Sequence, residues 1–195
     1  MATSAKRTSN GALIADYAVT LYVLFLFLVF PLLDASVLGM RAFFLWFAAN
    51  QATMAACKAK TYLEPVEIPG KPGAVLPSAC ELARLRANQI KTIFPGIHWE
   101  ESKNNPDVQI VQQPINPQAK NAKPQAVFSR GSGAPLSSGN APDPTLNVYV
   151  CRVVIKGRVD PLVSLPWFDV PGLSRSFDLT VSSQAQYENP SGLVI

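Results

Sequence analysis

The sequence predicts an α+β protein: a long N-terminal transmembrane helix continuing into a small extracytoplasmic domain, where a second helix packs on an antiparallel sheet. Three stretches carry that expectation. From Tyr17 to Leu33 no side chain is charged, and after Asp34 the next charge is Arg41. That run suits the roughly 20 residues of helix needed to cross a hydrocarbon core. Ser78 with Glu81 three residues later is a capping box, which starts a helix. Phe177 to Tyr187 alternates, with Phe177, Leu179, Val181, Ser183, Ala185 and Tyr187 on one face and polar residues on the other, the period of a half-buried strand.

Residues 1–11 form a short polar leader that carries Lys6 and Arg7 and no acid. Positive charge just before the span predicts a cytoplasmic N-terminus, with everything after about Leu38 outside. A cleaved secretory signal is the rival reading. Its apolar region runs about 7–15 residues and ends in a small-x-small site, whereas this run is longer and ends in PLLDASVLG.

The transmembrane part spans 12–38, and 39–62 continues the same helix into water. Neither Pro nor Gly occurs between Met40 and Glu64, so one helix from Ala12 to Tyr62 would be about 75 Å long. Within the span, Pro31 lacks an amide donor and should kink or loosen the helix. Asp34 falls at the outer water boundary. Beyond it, Ala35, Leu38, Ala42, Leu45, Ala49, Ala52, Ala56, Ala59 and Leu63 recur at alternating steps of three and four, a seam that faces a partner helix. Small residues there let backbones approach closely. The partner is either a neighbouring N-terminal helix or this protein's own domain. Phe43, Phe44, Trp46 and Phe47 supply interfacial anchoring or core.

The join between leader and helix reads Gly11-Ala12-Leu13-Ile14-Ala15-Asp16-Tyr17. Here the chain resembles the type IV pilin superfamily, and within it the TadE-like pseudopilins of tight-adherence (Flp) pili. The resemblance implies cleavage by a membrane prepilin peptidase between Gly11 and Ala12. It also implies subunit assembly through Asp16 and Tyr17, with Asp16 standing where the family usually carries Glu. Asp34 after a short apolar run, and the C-terminal stretch from about 146 to 190, are similar to the same family. The implied function is a minor pseudopilin: a pilin-like structural subunit held in the inner membrane, with membrane lipid, other pilin subunits, prepilin peptidase and a pilus assembly platform as partners. Physically, the Asp16 carboxylate lies one turn from the amine that cleavage would free, and in a fibre could pair with a neighbour's amine. It also serves simply as a water boundary and a favourable charge for the helix dipole.

The long helix should stop near Tyr62, because Pro65, Pro69, Gly70, Pro72 and Gly73 follow. The extracytoplasmic domain then occupies 63–195. Its helix from Ser78 presents Leu82, Leu85, Ile90 and Ile93 as an apolar face and ends at Pro95-Gly96. From Trp99 to Thr145 the chain is polar and rich in Pro, Asn, Gln, Ser and Gly, with a short edge strand at Val108 to Val111. Residues 113–144 read as a flexible loop, either disordered or a partner-binding insertion. Leu146 to Lys156 is β-prone, and a Pro-rich crossover with Trp167 and Phe168 joins it to the final strand, Arg175 to Tyr187.

The chain has 195 residues, 48% of them apolar, and a net charge of +4. Its Lys and Arg are spread thinly, so no nucleic-acid footprint is legible. In an oxidising compartment the three cysteines suggest a disulfide between Cys80 and Cys151, or alternatively between Cys57 and Cys80. Wide cysteine spacing and one histidine argue against a metal site, and no cofactor motif is present. No motif joins His98 to a nucleophile and an orienting carboxylate, so the chain reads as a non-enzyme. The alternatives are an uncleaved single-pass anchor whose extracytoplasmic domain binds a partner, and a tethered hydrolase built on His98.

Overall fold

The computed structural model describes residues 10–71, 73–102, 105–118, 126–129, 142–164 and 174–193, with side chains from Asp16 onward. An unbroken helical rod opens the chain: α1 (Asn10–Leu24), a π-helical turn (Phe25–Val29) and α2 (Phe30–Ala56). It is about 70 Å long at 1.5 Å per residue. Among the described residues this is the one helix long and apolar enough to cross a membrane. The expected effect of Pro31 appears as the π turn just before it. The Phe30 N–H donates to the Phe25 carbonyl five residues back, and Pro31 enters the first turn of α2. The wider turn absorbs a residue that can neither donate an amide bond nor tolerate the carbonyl four residues behind.

The helix stops at Ala56, six residues short of the expected Tyr62, with Cys57 as its cap. No Pro or Gly breaks it; tertiary bonds take over the backbone groups. Glu188 N–H donates to the Cys57 carbonyl at 3.0 Å. The Asn189 side chain donates to the Ala59 carbonyl at 3.1 Å, and the Tyr62 hydroxyl to the Val108 carbonyl at 2.6 Å. Ala59 and Tyr62 are thereby folded into the core.

A small hairpin of β1 (Val66–Glu67) and β2 (Val75–Leu76) leads into α3 (Ala79–Ile93). The capping box is present: Ser78 and Glu81 each accept the other's backbone N–H. The buried face matches the expected one in part: Ile90 is buried and Leu82 packs against the core. Ala79, Cys80, Ala83, Ala87 and Ile90 face inward, while Leu85 and Ile93 lie in solvent. The alanines of α3 meet the alanines of α2, so close backbone approach outweighs side-chain size in choosing the face. At the far end Phe44 stacks on Phe94, ring centres 3.8 Å apart.

The sheet is antiparallel throughout. Its central strand is β6 (Asn147–Val159), with β7 (Phe177–Gln186) along one edge. Along the other edge run β4 (Asp107–Pro114) and the two-residue β3 (Ile97–His98), and β5 (Ala126–Ser129) pairs outside β4. The stretch expected as an edge strand is therefore an interior one. Its outer partner β5 lies inside the segment read as a flexible loop, where Val127 and Phe128 pair with Val111 and Ile110. The rest of that loop from 119 to 125 and 130 to 141, the leader from 1 to 9, and Trp167 and Phe168 lie outside the described residues.

The inner face of β6 is Tyr149, Cys151, Val153, Ile155 and Val159, all buried. Leu45, Ala48, Ala49, Ala52 and Ala56 of α2 lie against it and are fully enclosed. Gly157 permits that approach at one end: a Cβ there would sit 2.9 Å from a Leu45 methyl. Buried Thr53 donates to the Ala49 carbonyl and reaches the Ser183 carbonyl at 3.3 Å, joining α2 to β7. Of the expected seam, Leu45, Ala49, Ala52 and Ala56 pack within this protein's own domain. Ala42 is half-buried, and Ala59 is buried beyond the helix end.

Candidate functional site

Three surfaces of the long helix bear on function. The first is its N-terminal end. Gly11 and Ala12 lie in the first turns of α1, and Asp16 and Tyr17 are exposed, Tyr17 at 71%. Among the described contacts, Thr20 donates to the Asp16 backbone carbonyl, and no contact with the domain is made here. This end is presented outward.

The second surface is a clamp at the level of Asp34. Sequence reasoning placed Asp34 at a water boundary; the structure instead buries it to 2% exposure. One carboxylate oxygen accepts the backbone N–H groups of Leu162 at 2.5 Å and Val163 at 3.4 Å. The other oxygen has no partner among the described residues. One heptad further along the same face, Arg41 donates to the carbonyls of Asp160 at 2.6 Å and Pro161 at 3.0 Å. Its guanidinium lies flat on Gly96, where a Cβ would come within 2.4 Å. Gly96 also has φ +84°, a backbone conformation natural to glycine. The Gly96 carbonyl accepts the Asp160 N–H at 3.1 Å. Two charged helix residues therefore grip the start of the β6–β7 connection. Arg41, Gly96 and residues 160–163 escaped sequence reasoning; the heptad spacing of Asp34 and Arg41 was the available signal.

The third surface is the side of α2 turned away from the domain. Met40, Phe43, Trp46 and Met54 are 57%, 54%, 43% and 47% exposed. Phe43 lies 5.8 Å from Trp46 and stacks at 6.4 Å on half-buried Phe47, ring centre to ring centre. In the sequence this cluster read as interface anchor or core. Only Phe44 reaches across to the domain's aromatic residues. Phe47 also packs against the core, whereas Met40, Phe43 and Trp46 stay exposed on the side opposite the alanine face, with Met54 two turns further on beyond half-buried Asn50.

The domain also carries an open groove of about 610 Å³ beside β3, β6 and β7. His98 pairs there with Asp160 at 3.0 Å, and Arg158 with Asp178 at 3.2 Å. Among the described residues its lining contains neither serine nor cysteine. Among the described residues no three His, Cys, Asp or Glu side chains are grouped to hold a metal ion.

Cys57, Cys80 and Cys151 are all buried, and neither expected disulfide is formed. Each fills the core as a small apolar group: Cys80 in the first turn of α3, Cys151 on the inner face of β6. Burial pushes the Cys151 thiol far above its ordinary range, and charge on Cys57 and Cys80 would push it further. Cys57 is raised too, first by burial and then by nearby Glu188. Such thiols are protonated and inert at neutral pH.

No protein-family model, curated protein or solved structure matches this chain.

Proposed function

We propose that this chain is a pilin-like structural subunit of the TadE-like kind, held in the inner membrane by its N-terminal helix before lateral assembly into a tight-adherence pilus or its initiating complex. The observation that carries this reading is the apolar stripe on α2. From Asp34 to Met54 the helix rises about 30 Å, whereas a headgroup region is only about 5–8 Å deep on each side of the hydrocarbon. Lipid therefore reaches about Met40 and leaves Trp46 and Met54 in water. A monomeric anchor gains nothing from large apolar side chains there. Burying each against a neighbouring helix is worth about 1.5–3 kcal/mol, and exposed patches of this kind mark interaction surfaces. The alanine seam serves the protein's own domain, and in this reading the stripe is the surface left for contact between subunits.

In this reading the leader with Lys6 and Arg7 is cytoplasmic and the domain periplasmic. Prepilin peptidase cuts after Gly11, Asp16 and Tyr17 meet a neighbouring subunit at the new N-terminus, and an assembly platform extracts the helix. Intact-mass analysis of the chain from membranes tests the first step. With the peptidase present, the mature chain should begin at Ala12, and a Gly11→Ala variant should retain residues 1–11. A wild-type chain still beginning at Met1 or Ala2 overturns processing and leaves an uncleaved anchor.

A further inference from the structure

We propose that the start of the β6–β7 connection, at Leu162 and Val163, is a lipid-contacting surface that seats the domain on the bilayer beside its own spanning helix. This rests on the helix crossing a membrane and is independent of assembly into a pilus.

The level of this loop follows from helix length. The uncharged run from Tyr17 to Leu33 spans about 26 Å, a little less than the roughly 30 Å of a hydrocarbon core. The remaining rise brings Asp34 and the turn after it to the edge of the acyl chains. Leu162 and Val163 are fixed at that level, since both donate their N–H groups to Asp34.

Irregular backbone is costly near lipid because its polar groups lose water. Here the helix supplies replacements. Asp34 answers the amides of residues 162 and 163, and Arg41 answers the carbonyls of 160 and 161. The side chains remain outside: Leu162 is 55% exposed and Val163 45%. Phe30, one turn before Asp34, is 46% exposed and Leu33, immediately before it, 53%. The apolar surface of the span thus runs on across the clamp into the domain. An acid at this depth is expected to be paired and shielded, and the 2% exposure of Asp34 agrees with that. A loop facing only water would need neither shielded amides nor outward leucine and valine.

The test places a nitroxide at Leu162→Cys and, separately, at Val163→Cys in the full chain reconstituted into phospholipid vesicles. The native thiols are buried. Collision with lipid-soluble oxygen is compared with collision with a water-soluble nickel chelate. Leu28→Cys in the span and Thr180→Cys on the open face of β7 give the lipid and water references. The oxygen-to-nickel ratio at 162 and 163 should exceed that at 180 several-fold and approach that at 28. A ratio equal to that at 180, with 28 in lipid, overturns the inference alone. Low access to both reagents at 162 means protein covers the loop, and also overturns it. A water-like ratio at 28 removes the membrane reading itself, and this inference with it.

Discussion

Asp34 holds two amides of the facing loop on a single carboxylate oxygen while being almost wholly buried. Asp34→Ala removes that acceptor from the amides of Leu162 and Val163, a loss of about 1–3 kcal/mol. Asp34→Asn keeps a carbonyl oxygen in place and should lose less. Thermal unfolding of the full chain in detergent should therefore rank wild type above Asn above Ala; equal midpoints for all three would contradict the clamp. At this scale the sequence was legible where the chemistry was local. The capping box of Ser78 and Glu81 is written within four residues, and the structure carries it. The clamp was not legible, because it joins positions more than a hundred residues apart through backbone amides, which leave no trace in side-chain type. The cysteines misled for a related reason. Three thiols in a chain expected outside the cytoplasm suggest a bridge, yet each occupies a core position that a small apolar residue would fill equally well.

Helices α2 and α3 are joined through alanine. Ala48, Ala49, Ala52 and Ala56 on one and Ala79, Ala83 and Ala87 on the other are all completely enclosed. Nothing larger fits between backbones that close. Ala52→Leu should cost about 1–3 kcal/mol by overpacking, measured as a lowered unfolding midpoint in detergent. An unchanged midpoint would contradict the complete enclosure of Ala52. The periodicity of the long helix made its existence plain. Of the seam positions Leu45, Ala49, Ala52 and Ala56 are enclosed, while Ala35 is exposed, Ala59 lies beyond the helix end and enclosed Ala48 was missed. Nor does periodicity say what a seam meets. On α3 it held for Leu82 and Ile90 and misled for Leu85 and Ile93, which lie in solvent. Large side chains dominate a sequence pattern, while close helix contact selects small ones. The strands followed the same logic. The alternation of β7 was visible because one face is half-buried and the other wet. Strand β5 is four residues long within a polar stretch and gave no period to read.

For the whole molecule, the buried thiols and Tyr187 set a limit at high pH. Cys57 and Cys151 are raised from 9.0, and Tyr187 from 10.0, chiefly by burial. An unfolded chain loses these protons as pH passes through those values, while the folded chain keeps them. The stability they contribute is thus fully present below about pH 9 and falls above it. The denaturation midpoint should be lower at pH 10 than at pH 7.5; an equal or higher midpoint would contradict burial of these groups. The larger question is why a helix that already packs its own domain on one side carries exposed Met40, Phe43, Trp46 and Met54 on the other. The proposed lateral assembly would answer it, and cysteine cross-linking in native membranes tests that proposal most directly. Trp46→Cys and Phe43→Cys, each alone in the full chain, should give cross-linked dimers under mild oxidation, while Thr180→Cys on the open sheet face stays monomeric. Monomers at 43 and 46, or cross-linking at 180 as strong as at 46, would contradict assembly through the helix.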